Sequence, residues 1–277
     1  MKKYLVIGNP IEHSLSPLIH NHWMKKYCLV DSIYEKRKVE EKELKNIIKD
    51  IREEELYGVN VTVPFKKLII PFLDKLDSAA EETQSVNTLF KINNQIVGYN
   101  TDGTGFWDSI RKLYPQSNDS FAQPLEGKYI FILGAGGVTP SIIFALKLQG
   151  ANNIILSNRT REKANELKRI FPELEVLDWG KKPKVCDIVI NTTSIALTKN
   201  EEINIDFSDY DKKLDKNFLF YDLIYNPKET DFLKKARLRG NKTMNGKMMF
   251  LNQAKYAFNI WTNIMPEIDD EVIKLLD

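Results

Sequence analysis

The chain has 277 residues, enough for one large domain or two ordinary ones, with 43% hydrophobic and 28% charged residues in a normal globular balance. Its 40 Lys and Arg against 38 Asp and Glu leave a net charge of +2, and the charges are interleaved as in Glu40-Glu41-Lys42-Glu43, which argues against a nucleic-acid partner. Cys28 and Cys186 fall in separate predicted domains, so no disulfide is expected and a reducing compartment suits the chain. His13, His20 and His22 have no cysteine cluster beside them. They read as one loop and two helix histidines, and no metal site is expected. Met-Lys-Lys is followed by too few apolar residues before Asn9-Pro10 for a signal-peptide core, and no run is long enough to span a membrane. The expectation is a cytoplasmic protein.

In chain order, residues 4–8 read as a buried strand. Residues 17–27 read as a helix with Ser16 as its cap and Pro17 at its first position. A short strand over 34–39 and a charged amphipathic helix over 41–52 follow. Residues 57–63 alternate as a strand with Val59, Val61 and Val63 on one side, and Asn60 and Thr62 on the other. A helix after Pro64 is ended or kinked by Pro71. Short strands are expected at 87–91 and 95–99, then a turn at 102–105, a helix over 106–113 and a loop over 115–120. The strand–helix alternation over residues 4–99 predicts a mainly parallel sheet, and four buried strands follow at 129–133, 154–156, 188–191 and 218–223, with helices at 139–149 and 161–170 separating the first three. The final helix runs from 247 to about 264, after Asn245-Gly246. The predicted fold is α/β in two domains, a mainly parallel-sheet domain up to residue 102 and a dinucleotide-binding domain from residue 103.

Gly134-Ala135-Gly136-Gly137 lies between a strand and a helix, the context in which a glycine loop cradles phosphate at a helix N-terminus. Thr139 stands where a third glycine would complete the usual pattern. An acid at the end of the second strand would bind a ribose hydroxyl, but the chain has Asn158-Arg159-Thr160 there, with Lys163 one turn on. Arg159 and Lys163 suit a 2′-phosphate, and so NADP. A capped helix start with incidental surface charge is the plainer alternative.

Ser14 and Ser16 are two apart before a helix, a pattern that suits a carboxylate, although Ser16 alone reads as a cap. Asn60, Thr62 and Lys66 fall at the carboxyl end of a strand, where α/β proteins bind ligands. Asn87 and Asp102 follow similar strands and could serve the same polyhydroxylated ligand. Ordinary turn chemistry and a solvated lysine are the plainer alternatives.

The chain resembles the shikimate dehydrogenase family over nearly its whole length. The matching segments are Gly-Asn-Pro-Ile-Glu-His-Ser-Leu-Ser-Pro (8–17), Val-Asn-Val-Thr-Val-Pro-Phe-Lys (59–66), Val-Asn-Thr (86–88) and Gly-Tyr-Asn-Thr-Asp (98–102). Gly-Ala-Gly-Gly (134–137), Asn-Arg-Thr (158–160), Ile-Asn-Thr-Thr-Ser (190–194), Asp-Leu-Ile-Tyr-Asn-Pro (222–227) and 246–253 continue the match. The resemblance implies reversible reduction of 3-dehydroshikimate to shikimate by NADPH, in the route to chorismate and the aromatic amino acids. It implies that Lys66 and Asp102 are the catalytic pair. Substrate is expected at Ser14, Ser16, Asn60, Thr62, Lys66, Asn87, Asp102, Tyr225 and Gln253. Cofactor is expected at Gly134, Ala135, Gly136, Gly137, Asn158, Arg159, Thr160, Lys163, Thr192 and Gly246. The resemblance also implies a substrate domain over residues 1–102 with 247–277, a Rossmann-like cofactor domain over 103–246, and a C-terminal helix whose return to the first domain would bring Gln253 to the substrate. The expected partners are small molecules, with no membrane and a monomer or homodimer.

Gln84-Ser85 stands where the family usually has Gly-Ala, Thr139-Pro140 where small residues and often Arg are usual, and Ala196 where Gly is common. Quinate or dual quinate/shikimate dehydrogenases share nearly all these motifs. A catalytically weak NADP-binding sensor is the alternative of another class.

Overall fold

The computed structural model describes residues 1–115, 123–195, 202–210 and 218–277. The predicted loop at 115–120, save Pro115, and the Ala196 departure lie outside them. Contacts divide the chain into two compact units, Met1–Asp108 with Phe250–Asp277, and Ser109–Met249.

The first unit contains β1 (Lys2–Gly8), α1 (Ser16–Lys26), β2 (Ser32–Lys38), α2 (Leu44–Arg52), β3 (Gly58–Val61), α3 (Phe65–Leu68), β4 (Lys75–Leu76) and α4 (Ser78–Thr83). It continues with β5 (Thr88–Ile92), β6 (Gln95–Tyr99) and most of α5 (Asp102–Ile110). Its sheet has the order β2-β1-β3-β5-β6-β4. β1 pairs in parallel with β2 and β3, and β4 with β6, while β5 is antiparallel to β3 and β6. Asn93 and Asn94 both have positive φ, as the tight turn joining β5 to β6 requires. α2 buries Leu44, Ile47, Ile48 and Ile51, one stripe at helical spacing, against Leu5, Val59 and Val61. An aromatic group of Tyr4, Trp23, Tyr34, Phe258 and Trp261 forms a second buried cluster.

The second unit contains β7 (Tyr129–Leu133), α6 (Thr139–Leu148), β8 (Asn153–Ser157), α7 (Arg161–Ile170), β9 (Glu175–Leu177), β10 (Ile188–Asn191), β11 (Leu219–Asp222), α8 (Asp231–Leu238) and β12 (Lys242–Asn245). All its described strand pairs are parallel, in the order β12-β11-β10-β7-β8-β9. That is the doubly wound order, whose chain reversal falls between β7 and β10. Phe131, Val189, Phe220 and Phe232 sit in its core. α9 (Lys247–Thr262) begins in this unit and continues in the first, and α10 (Asp270–Lys274) closes the chain.

Three predicted boundaries are corrected. The strand expected over 57–63 ends at Val61, and Val63 is 58% exposed, because the chain turns from Thr62 into Pro64, which has no N–H to extend the ladder. Asp102 opens a helix rather than a turn. Ser16 is the first residue of α1, whose cap position is Leu15 with no side-chain capping bond.

Candidate active site

The order β2-β1-β3 places a chain reversal between β1 and β3, and ligands of open α/β sheets sit at such a crevice by the strand ends. Antiparallel β5 starts, and β6 ends, at the same edge as the end of β3. Residues from 14–16, 60–66, 87 and 100–102 therefore share one rim.

Lys66, 9% exposed in α3, donates from Nζ to Asp102 Oδ2 at 2.5 Å, and Asp102 is itself 5% exposed. Its other oxygen accepts from Asn87 Nδ2 at 3.0 Å, and its backbone N–H donates to Asn100 Oδ1 at 3.0 Å. Asn87 Nδ2 also reaches Thr101 Oγ1 at 2.8 Å and, marginally, Gln253 Oε1 at 3.5 Å. Asn87 Oδ1 accepts from the Thr101 N–H and from Thr88 Oγ1, both at 3.0 Å. Thr101 Oγ1 donates to the Gln253 carbonyl at 3.0 Å. Gly105 permits this approach, since a Cβ there would lie 2.7 Å from Gln253 N. A charge pair this buried needs further hydrogen bonds to hold it, and the Asn87 amide supplies one to the Asp102 carboxylate.

On the serine side, Ser14 Oγ donates to Ser16 Oγ at 3.3 Å. Ser16 uses its hydroxyl there and not as a helix cap. Asn60 is buried, donating from Nδ2 to Asn87 O and Thr88 Oγ1, both at 3.0 Å, and accepting from Tyr34 OH at 2.6 Å. Its amide protons are therefore committed. Thr62 is half-buried just beyond β3, with its N–H on Ile7 O at 2.9 Å.

The second unit carries its own cluster at the ends of β7 and β10. Gly134 has φ +106°, and a Cβ there would lie 2.5 Å from Thr192 Oγ1, so glycine is required twice over. A Cβ at Gly136 or Gly137 would meet nothing, which leaves an open cradle beside α6 of the kind a pyrophosphate fills. Asn158 ties the loop from the side, accepting from Ala135 N–H at 3.0 Å and donating to Thr160 O at 2.7 Å. Thr139 Oγ1 accepts from Gly136 N–H at 3.1 Å and lies 3.1 Å from Gly134 O and 2.8 Å from Thr192 Oγ1. Thr192 Oγ1 also donates to Leu133 O at 2.8 Å. Arg159, Thr160 and Lys163 are exposed at the end of β8 and the start of α7.

At the next strand ends, buried Asp222 accepts from Thr230 Oγ1 at 2.6 Å, Asn191 Nδ2 at 3.0 Å and Ile224 N–H at 3.1 Å. Burial raises its carboxyl to about 6 despite those bonds. Tyr225 is half-buried on the turn after β11, and burial pushes its phenol up. A Cβ at Gly246 would lie 1.9 Å from Leu223 O, so this glycine allows two backbones to touch.

Sequence reasoning missed Tyr34, Thr88, Asn100, Thr101, Asn191 and Asp222 as parts of these networks. Asn100-Thr101 and Asn191 lie inside the quoted motifs, so their company was the available signal. Among the described residues, His22, Asp269 and Glu271 place ligating atoms within 4.8 Å of one another. Asp269 already bonds Lys26 at 2.5 Å and caps α10, which accounts for its position. A cleft of about 570 Å³ in the second unit, lined by Ile203, Phe207, Phe220 and Phe232, contains none of the candidate residues. No described helix is long and apolar enough to cross a membrane.

Residues 6–89 match the family model described as the shikimate dehydrogenase substrate binding domain, and residues 117–234 match that of shikimate / quinate 5-dehydrogenase. The chain is 51% identical to the shikimate dehydrogenase (NADP(+)) of Pelagibacter ubique, over 100% of this chain and 99% of that protein. It is similar to the shikimate dehydrogenase structure from Aquifex aeolicus, with a TM-score of 0.83, 35% identity and coverage of 100% and 97%. It is also similar to the Thermus thermophilus shikimate 5-dehydrogenase in complex with NADP(H) and shikimate, with a TM-score of 0.81, 26% identity and coverage of 100% and 98%.

Proposed function

The chain belongs to the shikimate dehydrogenase family, and from that premise we propose that it reduces 3-dehydroshikimate reversibly to shikimate with NADPH, a step toward chorismate and the aromatic amino acids. The observation that carries the reading is the buried Lys66–Asp102 pair at 2.5 Å, set among amides and hydroxyls that suit a polyhydroxylated ring.

In this reading NADPH, when bound, supplies the hydride. Charge then builds on the ketone oxygen, and Lys66 stabilises it and delivers a proton to that oxygen. The product is a hydroxyl, and the neutral amine regains its proton from solvent. In the reverse direction the amine accepts the hydroxyl proton. Asp102 holds the Lys66 nitrogen in place and offers its remaining lone pairs to a substrate hydroxyl. Ser14 and Ser16 turn their protons to the carboxylate. Asn87, Gln253, Thr62 and Tyr225 serve the ring hydroxyls, and Asn60 contributes only as an acceptor because its protons are spent. Gly134 to Gly137 receive the pyrophosphate. Asn158, Thr160, Thr192 and Gly246 shape the rest of the cofactor site. Arg159 and Lys163, with no acid at 158, favour NADP over NAD. The first unit thus serves substrate and the second serves cofactor, in a cytoplasmic monomer or homodimer.

The test is NADPH formation with shikimate and with quinate, assayed side by side. Turnover of shikimate with NADP⁺ is expected. Faster turnover of quinate would reassign the substrate, and no turnover of either would overturn the reading.

A further inference from the structure

We propose that Tyr34 is a positioning residue of the substrate site, whose buried phenol fixes how Asn60 faces a ligand. This rests on the reading of the first unit as the shikimate site.

The direction of each bond follows from what the groups can do. Asn87 O is a backbone carbonyl and can only accept, so the group facing it at 3.0 Å must be Asn60 Nδ2. The second Nδ2 proton goes to Thr88 Oγ1. Asn60 Oδ1 is then the atom 2.6 Å from the phenol, and Tyr34 must donate to it. With its only proton committed, the phenol holds Asn60 Oδ1, while Asn87 O and Thr88 Oγ1 take the two Asn60 amide protons. The Asn60 amide is therefore fixed from both ends, and its orientation is set by Tyr34 as much as by Asn87 and Thr88.

The phenol is held rigidly enough for this task. Its ring stacks on His20 at 4.2 Å and 6°, and Trp261 lies 6.0 Å away. Asn21 clamps the Tyr34 backbone from both sides, accepting from its N–H at 2.9 Å and donating to its carbonyl at 2.8 Å. His20 is fully buried, and neither ring nitrogen has a partner among the described residues. Burial holds it down to about 3, so the group stacked on the phenol is uncharged near neutral pH.

Tyr34→Phe keeps the ring and removes only the hydroxyl. In the full chain at saturating NADP⁺, KM for shikimate should rise about five- to thirtyfold, the effect of one lost buried hydrogen bond. The Kd of NADP⁺ should stay near wild type, while the melting temperature falls by a few degrees because Asn60 Oδ1 loses its buried donor. Combined with Asn60→Ala, the loss in kcat/KM should be less than the product of the single losses, because Tyr34 acts through Asn60. A shikimate KM within twofold of wild type would overturn the inference. So would an additive double variant, or equal weakening of both ligands, which marks a packing role alone. If wild type does not turn over shikimate at all, the functional reading itself fails. If wild type turns it over and Tyr34→Phe is unaffected, only the positioning role fails.

Discussion

Lys66 and Asp102 lie 36 residues apart and share one proton-bearing contact, so replacing either changes both. Lys66→Met should lower kcat by about 10²–10⁴, the usual contribution of a positioned acid–base group. It leaves Asp102 buried without its cation, which costs about 3–5 kcal/mol where no other donor relieves it. Asn87 supplies such a donor, so the variant should fold less stably and still bind NADP⁺. Near-wild-type turnover by a folded Lys66→Met protein would return the lysine to an ordinary ion pair. The Lys66→Met, Asp102→Asn double variant should lose less than the product of the single losses, because the two act as a unit. Arg159 is tested separately. A charged hydrogen bond contributes about 1.5–3 kcal/mol, so Arg159→Ala should weaken NADP⁺ by about ten- to a hundredfold and leave NAD⁺ unchanged. Equal loss for both cofactors, measured by titration, would sink the 2′-phosphate assignment.

At the scale of elements, two turns depart from the usual family sequence in different ways. α4 ends at Gln84 with φ 48°, a left-handed cap position that glycine fills without strain. Gln84→Gly should therefore stabilise the protein by up to about 1 kcal/mol, less whatever the Gln84 Nε2 bond to Glu81 O contributes. Thermal unfolding reads this directly, and a lowered melting temperature would show that the side-chain bond dominates. The glycine loop, by contrast, is stitched by a side chain where the usual pattern has none. Thr139 Oγ1 is the acceptor for Gly136 N–H and the neighbour of Thr192 Oγ1. Thr139→Val would remove the acceptor that fixes this exposed N–H, at a cost of about 0.5–1.5 kcal/mol. NADP⁺ binding should weaken, with KM for shikimate little changed, and Thr139→Ser should restore it.

For the whole molecule, two carboxylates give pH dependences of opposite sign. Asp222 sits in the second unit with its carboxyl raised from 3.8 to about 6. Between those values the folded protein holds a proton that the unfolded chain has released. Stability therefore falls as pH rises through this window, by about 1.4 kcal/mol per pH unit, and the penalty is constant above it. Asp269 in the first unit is lowered from 3.8 to about 2, chiefly by its bond to Lys26. Its contribution is present above about pH 4 and is lost as pH falls toward 2. Denaturant midpoints against pH should show Asp222→Asn flattening the upper slope and Lys26→Met the lower one. An unchanged upper slope in Asp222→Asn would place that titration on another group.

The sequence by itself determined the α/β class, the mainly parallel first sheet and the glycine loop, and its family resemblance singled out Lys66 and Asp102 for the catalytic roles proposed above. These are local signals: apolar runs over 129–133, 188–191 and 218–223, and motifs whose residues lie within a few positions of one another. α8, β12 and α10 are short and escaped the periodicity, and tertiary contact decides them. Only the fold decided that β5 enters the first sheet antiparallel to β3 and β6, which brings Asn87 and Asp102 to the rim that β3 already occupies. Only the fold spent the Ser16 hydroxyl on a side-chain network instead of a helix cap, and the Asn60 protons on Asn87 and Thr88. Thr101 and Gln253 bond across 152 residues, and Tyr34 and Asn60 across 26. A hydrogen bond is a property of two groups in space. A sequence names both groups but does not give the distance between them, and that distance determines whether a serine caps a helix or an asparagine has a proton left to give.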